Sequence, residues 1–295
     1  MPPRIPSLET PPLHPGTPNY TLYAPQPAEW VRRDVLDASA NGSFISTCLR
    51  VITRNGQSKN FETLSGQDGL TFGITDFATD GGVAEFMQRV NQHFPDEFAA
   101  AFADHAHDLL SLAWIKQNNA GGKGAAANDQ GLIRFPWLRQ GLDRILTDPH
   151  IRGVQLANFR HGKIDPSFEA FQHRGFKLQF TLGCMIGLAN SLGAGGMRSA
   201  LQQAIEHQAD LGDSGELAVA RRLLQHYVET DPHPGPKDGE LLARGFVAGA
   251  ELSEDGLGHR GRRAYALFKA FPLAAPFQEL GEFSLADEGP LPPDG

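Results

Sequence analysis

The stretch Phe176–Leu192, FKLQFTLGCMIGLANSL, is the most apolar in the chain and decides the fold. Apolar side chains occupy nearly every face of a 3.6-residue helix over this window. That pattern predicts a buried central helix rather than an amphipathic surface one. The stretch is too short, and too polar at its flanks, to cross a bilayer core of about 30 Å. Gly183 and Gly187 lie four apart on one face, which lets a second helix approach closely. The same spacing describes a small-residue dimerisation motif; core packing is the simpler reading. Gly193, Gly195 and Gly196 end this helix and open the next.

Outward from that segment the chain reads as mainly helical. Helical patterns cover 28–38, 44–54, 82–93, 96–117, 133–147, 150–173, 175–192, 196–209, 214–229, 238–251 and 260–271. The 44–54 segment carries Phe44, Ile45, Cys48, Leu49, Val51 and Ile52, a broad apolar face, and stops at Asn55-Gly56, a helix-ending pair. Residues 57–70 are polar and read as loop. Leu70–Phe77, LTFGITDF, is β-branched and aromatic around a glycine and predicts a short strand. Residues 118–131 read as a loop of small residues. Prolines mark 1–26 as an extended arm and 272–295 as a similar tail, leaving 27–271 as the domain.

Composition narrows the function. The formal net charge is -8 and no basic run occurs, which argues against a general nucleic-acid binder and favours a neutral or cationic partner. No stretch predicts membrane insertion. Residues 1–27 lack an apolar signal-peptide core, so the expectation is a protein cytoplasmic as synthesised, or exported without a leader, or one whose leader is already removed. Cys48 and Cys184 sit in apolar helical patterns and read as free buried thiols. His105, His107, His150, His161 and His173 form no metal-ligand motif, so neither a metal site nor another cofactor is expected.

Four carboxylates, Glu62, Asp68, Asp76 and Asp80, cluster around the predicted strand, which also carries Thr71. Singly, each reads first as a solvated surface charge or turn former. Together they offer the two groups that glycosidic-bond hydrolysis requires: an acid for the leaving oxygen, and a base or nucleophile across the scissile bond. Trp30, Trp114 and Trp137 are candidates for stacking on sugar rings, with Trp114 (LLSLAWI) read as core.

A family resemblance rests on these residues. Asn55-Gly56-Gln57 through Phe61, then Gly66-Gln67-Asp68-Gly69-Leu70-Thr71-Phe72-Gly73-Ile74-Thr75-Asp76-Phe77, is similar to the active-site block of the lysozyme-like superfamily, closest to bacterial chitosanases and related muramidases. Gly175–Ala200 resembles the chitosanase central helix and the helix after it. Gly258–Ala270 (GHRGRRAYALFKA) resembles the last, arginine-bearing helix. The resemblance implies a lysozyme-like α+β fold of two lobes, one small and β-containing, the other larger and helical around the buried central helix. On that resemblance Arg260, Arg262 and Arg263 are candidates to pair with active-site carboxylates; the three read equally well as a solvated helix face. Residues 57–80 are then expected to line a cleft between the lobes.

The chain departs from the family where the catalytic Glu is expected, at or next to Asn55. An amide cannot serve as a carboxylic acid. Three explanations stay open: altered loop lengths with Glu62 and Asp68 as the pair, an engineered inactive form, or a glycan binder without catalysis. The expectation carried forward is a glycoside hydrolase of a β-1,4-linked amino-sugar polymer, chitosan or peptidoglycan. Glu62, Asp68 and Thr71 are the catalytic candidates, and Asn55, Asp76 and Asp80 the substrate-binding ones. The alternative is an inactive glycan-binding or protein-interaction module, for which a protein partner is conceivable.

Overall fold

The computed structural model describes residues 44, 48, 51–52, 64–65, 70–73, 80–119, 132, 135–148, 151, 154–155, 158–207, 215–247, 252–271 and 273. The arm and the tail expected at the two ends lie outside these residues, apart from Leu273. The described residues are mostly helical and fall into two compact units, one containing the described residues from 64 to 158, the other containing 44–52 and those from 159 onward.

The first unit holds the β element. Leu64–Ser65 pairs antiparallel with Thr71–Phe72, Leu64 opposite Phe72 and Ser65 opposite Thr71. The strand expected over 70–77 is thus two residues long where described, and its partner falls in a segment read as loop. Helices Asp80–His93 and Pro95–Phe102 follow, joined at Phe94, with Pro95 in the first turn where its missing N–H costs nothing. Val83, Phe86, Met87 and Val90 form the buried stripe of the first helix.

The single helix expected over 96–117 is instead broken. It continues as a 3-10 turn at Ala103–His105, a short helix at Ala106–Leu109 and a further helix at Leu112–Asn119. The break has identifiable causes. Arg144 Nη1 donates to the Ala100 carbonyl at 2.8 Å, a cation at the end of the Pro95–Phe102 helix. Gly141 of the Pro136–Leu146 helix lies against the Phe102 ring and 2.9 Å, as measured from a Cβ built on it, from the Ala101 carbonyl. Ser111 restarts the helix by accepting the Trp114 N–H at 3.3 Å on its hydroxyl, an N-cap bond.

At the break Ala103 has φ 47° and ψ -124°, a conformation suited to glycine. Its side chain is exposed and packs against no core. Ala103→Gly is therefore expected to raise stability by about 0.5–1 kcal/mol through relief of strain. A thermal melt that moves downward would contradict this.

The second unit is built on Gln179–Glu206, a 28-residue helix interrupted at Gly193, where φ is 74° and ψ 167°. The interruption falls at the expected glycine cluster. Across it the helix reaches a bilayer-spanning length, but its apolar residues pack inside the unit. Phe180–Ala189 is buried at ten consecutive positions, the longest such run among the described residues. Its start is fixed by Glu216, whose carboxylate accepts the Lys177 and Leu178 N–H groups, each at 2.7 Å. Its main neighbour is the Glu216–Glu229 helix. Cys48 and Cys184 are free and buried as expected. Burial pushes both thiols well above their ordinary range, so they stay protonated and unreactive.

Gly183 and Gly187 do admit a helix, the His259–Ala270 helix and the Phe271 that follows it. A Cβ on Gly183 would meet the Phe271 ring, and one on Gly187 would lie 2.6 Å from Leu267 Cδ1. One turn further, Arg263 Nη1 donates to Ser191 Oγ. The contacts pair 183 with 271, 187 with 267 and 191 with 263, an antiparallel crossing four residues per step. Gly187→Ala is expected to destabilise by about 1–3 kcal/mol through overpacking. In a double-mutant cycle with Leu267→Ala the two costs should sum to more than the cost of the pair, because the second change opens the space the first needs.

Two further expectations are corrected. The helix read over 150–173 is not continuous: a π turn occupies Arg160–Ile164 before the Asp165–His173 helix. Pro166 has no N–H for the Gly162 carbonyl and its ring crowds that carbonyl, so the turn widens. The helix read over 238–251 is Asp238–Arg244, stopped at Gly245 with φ 61°. Asp238 is buried and ties two loops together, accepting the Gly235 N–H at 2.8 Å and the Gly258 N–H at 2.9 Å.

Arg260 links the His259–Ala270 helix to the end of Glu216–Glu229. Its Nη1 donates to the Thr230 carbonyl and hydroxyl, both at 2.8 Å, and its guanidinium lies 5.1 Å from the Tyr227 ring centre. Asp231 beside it is partly desolvated, which raises its pKa. The His233 and Arg260 N–H bonds and the Arg260 and His259 charges outweigh that, so its carboxyl is held below the usual range. A depressed carboxylate stabilises the fold fully above its unfolded pKa and loses that contribution as pH falls through the folded one. Asp231→Asn should therefore flatten stability against pH on the acid side and leave that slope unchanged above neutrality, as read from denaturant midpoints.

Candidate active site

The candidate site is framed by the hairpin of the first unit. Phe72 is fully buried with its ring edge-on to Phe86, 5.0 Å between centres. Leu70 is also fully buried, and its N–H donates to Asn119 Oδ1 at 3.2 Å. The two anchors fix the backbone on either side of Thr71. Gly73 follows with φ 75°, a conformation that favours glycine and ends the strand.

Of the candidate residues, Thr71 lies on the second strand in register with Ser65, and Asp80 opens the Asp80–His93 helix. Asn55, Glu62, Asp68 and Asp76 lie outside the described residues. By sequence, Glu62 precedes the first strand by two positions and Asp68 belongs to the connection between the strands.

The three arginines read together in the sequence separate into different roles. Arg263 is buried. Besides the Ser191 contact, its Nε has no partner among the described residues. Arg260 serves the helix junction described above, and Arg262 is exposed. No carboxylate contacts Arg263 among the described residues. The four-residue spacing of 263, 267 and 271 places Arg263 on the inner face, a signal that was present in the sequence.

Trp114, read as core, is half-buried, as is Trp137, and both pack against the core of the first unit; Trp30 lies outside the described residues. Trp137 stacks on His105 (4.1 Å, 14° between planes) and on Phe135 (5.5 Å, 27°), and Trp114 lies 6.0 Å from Phe135 and 6.2 Å from Trp137. Sequence reading missed His105 in this group, because it placed 96–117 on one straight helix. No group of three or more metal-ligating side chains occurs among the described residues.

No protein-family model matches the chain, and no curated protein matches it. Among solved structures it is similar to a glycoside hydrolase family 46 chitosanase from Gynuella sunshinyii, determined in complex with chitotetraose. The TM-score is 0.51 at 16% identity, covering 78% of this chain and 88% of that one. Likeness at this identity concerns the fold, and together with the mostly helical architecture it assigns the chain a chitosanase-like fold.

Proposed function

We propose that the protein is a glycoside hydrolase acting on a β-1,4-linked amino-sugar polymer. The observation that carries this reading is the fold likeness over 78% of the chain to a chitosanase solved with chitotetraose. The chemistry needs no metal or organic cofactor: one carboxylic acid protonates the leaving oxygen and a second carboxylate activates water or attacks the sugar. Glu62 and Asp68 are the residues we assign to that pair. Thr71 positions the water or the sugar, and Asn55, Asp76 and Asp80 contact the substrate. A net charge of -8 suits a polycationic chain such as chitosan better than an anionic one.

One observation favours a second reading. Asn55 stands at or next to the position where the resemblance expects the catalytic Glu, which fits a glycan binder without catalysis. Reducing-end release from chitosan and from purified peptidoglycan, by wild type and by Asn55→Glu, separates the two. Hydrolysis by wild type supports the enzyme. Oligosaccharide binding without hydrolysis, with activity gained in Asn55→Glu, supports the binder. Neither binding nor hydrolysis on either polymer removes both.

A further inference from the structure

Arg263 is a buried cation, 7% exposed, to which the described residues supply no opposing charge. Its Nη1 donates to Ser191 Oγ, and its Nε has no partner among the described residues. The Ser191 hydroxyl donates its own proton to the Gly187 carbonyl at 3.2 Å, so it offers Arg263 a lone pair and no charge. A guanidinium stays protonated in a protein, and a buried charge left uncompensated is costly.

The surrounding acids are engaged elsewhere. The His259–Ala270 helix carries His259, Arg260, Arg262 and Lys269 besides Arg263, and no acidic residue. On the central helix the one acid is Glu206 at its far end, bonded to Gln202 at 2.7 Å. On the helices packed against it, Glu216 holds the Lys177 and Leu178 N–H groups, Glu229 pairs with Arg222, and Glu169 with Arg198. Asp231 and Asp238 accept backbone N–H groups before the His259–Ala270 helix. None of the other described acids nearby, Asp165, Glu240, Glu254 and Asp255, pairs with Arg263.

Ser191 stands two residues before Gly193, where the central helix breaks, so the guanidinium meets the helix at the break. A new helical stretch runs from there to Glu206. The N–H groups of its first turn, Ala194, Gly195 and Gly196, have no carbonyl within that stretch to bond, and such a turn favours an anion. The buried run has also ended: residues 190–194 are half-buried and Gly195 is exposed. No described heavy atom comes within 4 Å of a Cβ built on Gly193 or Gly195. We propose that Arg263 and the amides after Gly193 form a carboxylate-binding site. Nε with the adjacent Nη2 is the fork by which arginine holds both oxygens of a carboxylate. The carboxylate is that of a small free acid or of an acidic sugar, and the site is independent of the polysaccharide reading above.

The test uses the full chain, as wild type, Arg263→Met and Ala194→Pro. The last removes one N–H at a first-turn position where proline fits, and leaves Arg263 in place. Melting is followed against sodium acetate at ionic strength fixed with chloride, and affinities for acetate, N-acetylmuramic acid and N-acetylglucosamine are measured by titration. Acetate should raise the wild-type melting temperature and leave that of Arg263→Met unmoved. Arg263→Met should weaken N-acetylmuramic acid by more than about tenfold and Ala194→Pro by about twofold to tenfold. N-acetylglucosamine, which lacks the carboxylate, should not distinguish the three chains. Without acetate, Arg263→Met should melt no lower than wild type, because it removes an uncompensated cation. Tighter binding of N-acetylmuramic acid than of acetate assigns the site to an acidic sugar, and equal binding to a free acid; either upholds it. Carboxylate responses absent from wild type, or equal in wild type and Arg263→Met, overturn it. If Arg263→Met does not fold, Ala194→Pro decides, and unchanged affinity there overturns the site.

Discussion

Glu62→Gln and Asp68→Asn are each expected to lower chitosan hydrolysis by about 10²–10⁴-fold, the usual contribution of a positioned acid or base. Each amide keeps the shape and hydrogen-bonding size of the acid it replaces but cannot exchange a proton near neutral pH. The loss should appear in kcat, with the melting temperature unchanged, because substrate contacts remain. Groups that act as one unit are not additive, so the double variant should fall little below the worse single one. The pH profile gives an independent reading: each variant should lose one limb of the bell-shaped rate curve, Glu62→Gln and Asp68→Asn losing opposite limbs. Wild-type rates in both variants would remove this pair from the chemistry and return attention to Asn55.

Leu182→Ala or Ile186→Ala is expected to cost about 2–5 kcal/mol, the range for truncating a core side chain. Both residues are fully buried inside the run Phe180–Ala189. The cost depends on whether neighbours collapse into the cavity. Here the adjoining Gly183 and Gly187 have no side chains to move, and their facing partners Phe271 and Leu267 are already in close contact with them. Relaxation is therefore limited, and values toward the upper end are expected. Urea titration reads the effect as a lower midpoint with an unchanged slope. A midpoint shift within error would contradict central burial.

The sequence made the central helix legible because apolarity on all faces has a single explanation in a protein of this composition, and Gly193 marked its break correctly. A helical pattern does not show where the chain changes direction. Nothing in 96–117 contains glycine or proline, so the break at Ala103 came from contacts distant in sequence, Arg144 with Ala100 and Gly141 with Phe102. Pro166 is the readable signal for the π turn, since it has no N–H for the Gly162 carbonyl. The Leu64–Ser65 strand had no signature, since a two-residue pairing is defined by its partner and not by its own residues. For the candidate site, the sequence placed Thr71 on a strand, as found, and supplied carboxylates whose mutual geometry no spacing rule can give. The separate fates of Arg260, Arg262 and Arg263 follow from helix phase once the contacting face is known.

The antiparallel crossing of 183, 187 and 191 with 271, 267 and 263 carries an evolutionary consequence. Because a Cβ at either glycine has nowhere to go, volume is a shared property of each facing pair rather than of either position. In related chains, a larger residue at 187 should appear together with a smaller one at 267, and likewise at 183 and 271. The hydroxyl at 191 should covary with the guanidinium at 263 by hydrogen-bonding capacity, not by size. Three coupled pairs at one register would then make this crossing recognisable in sequences too divergent to align by identity.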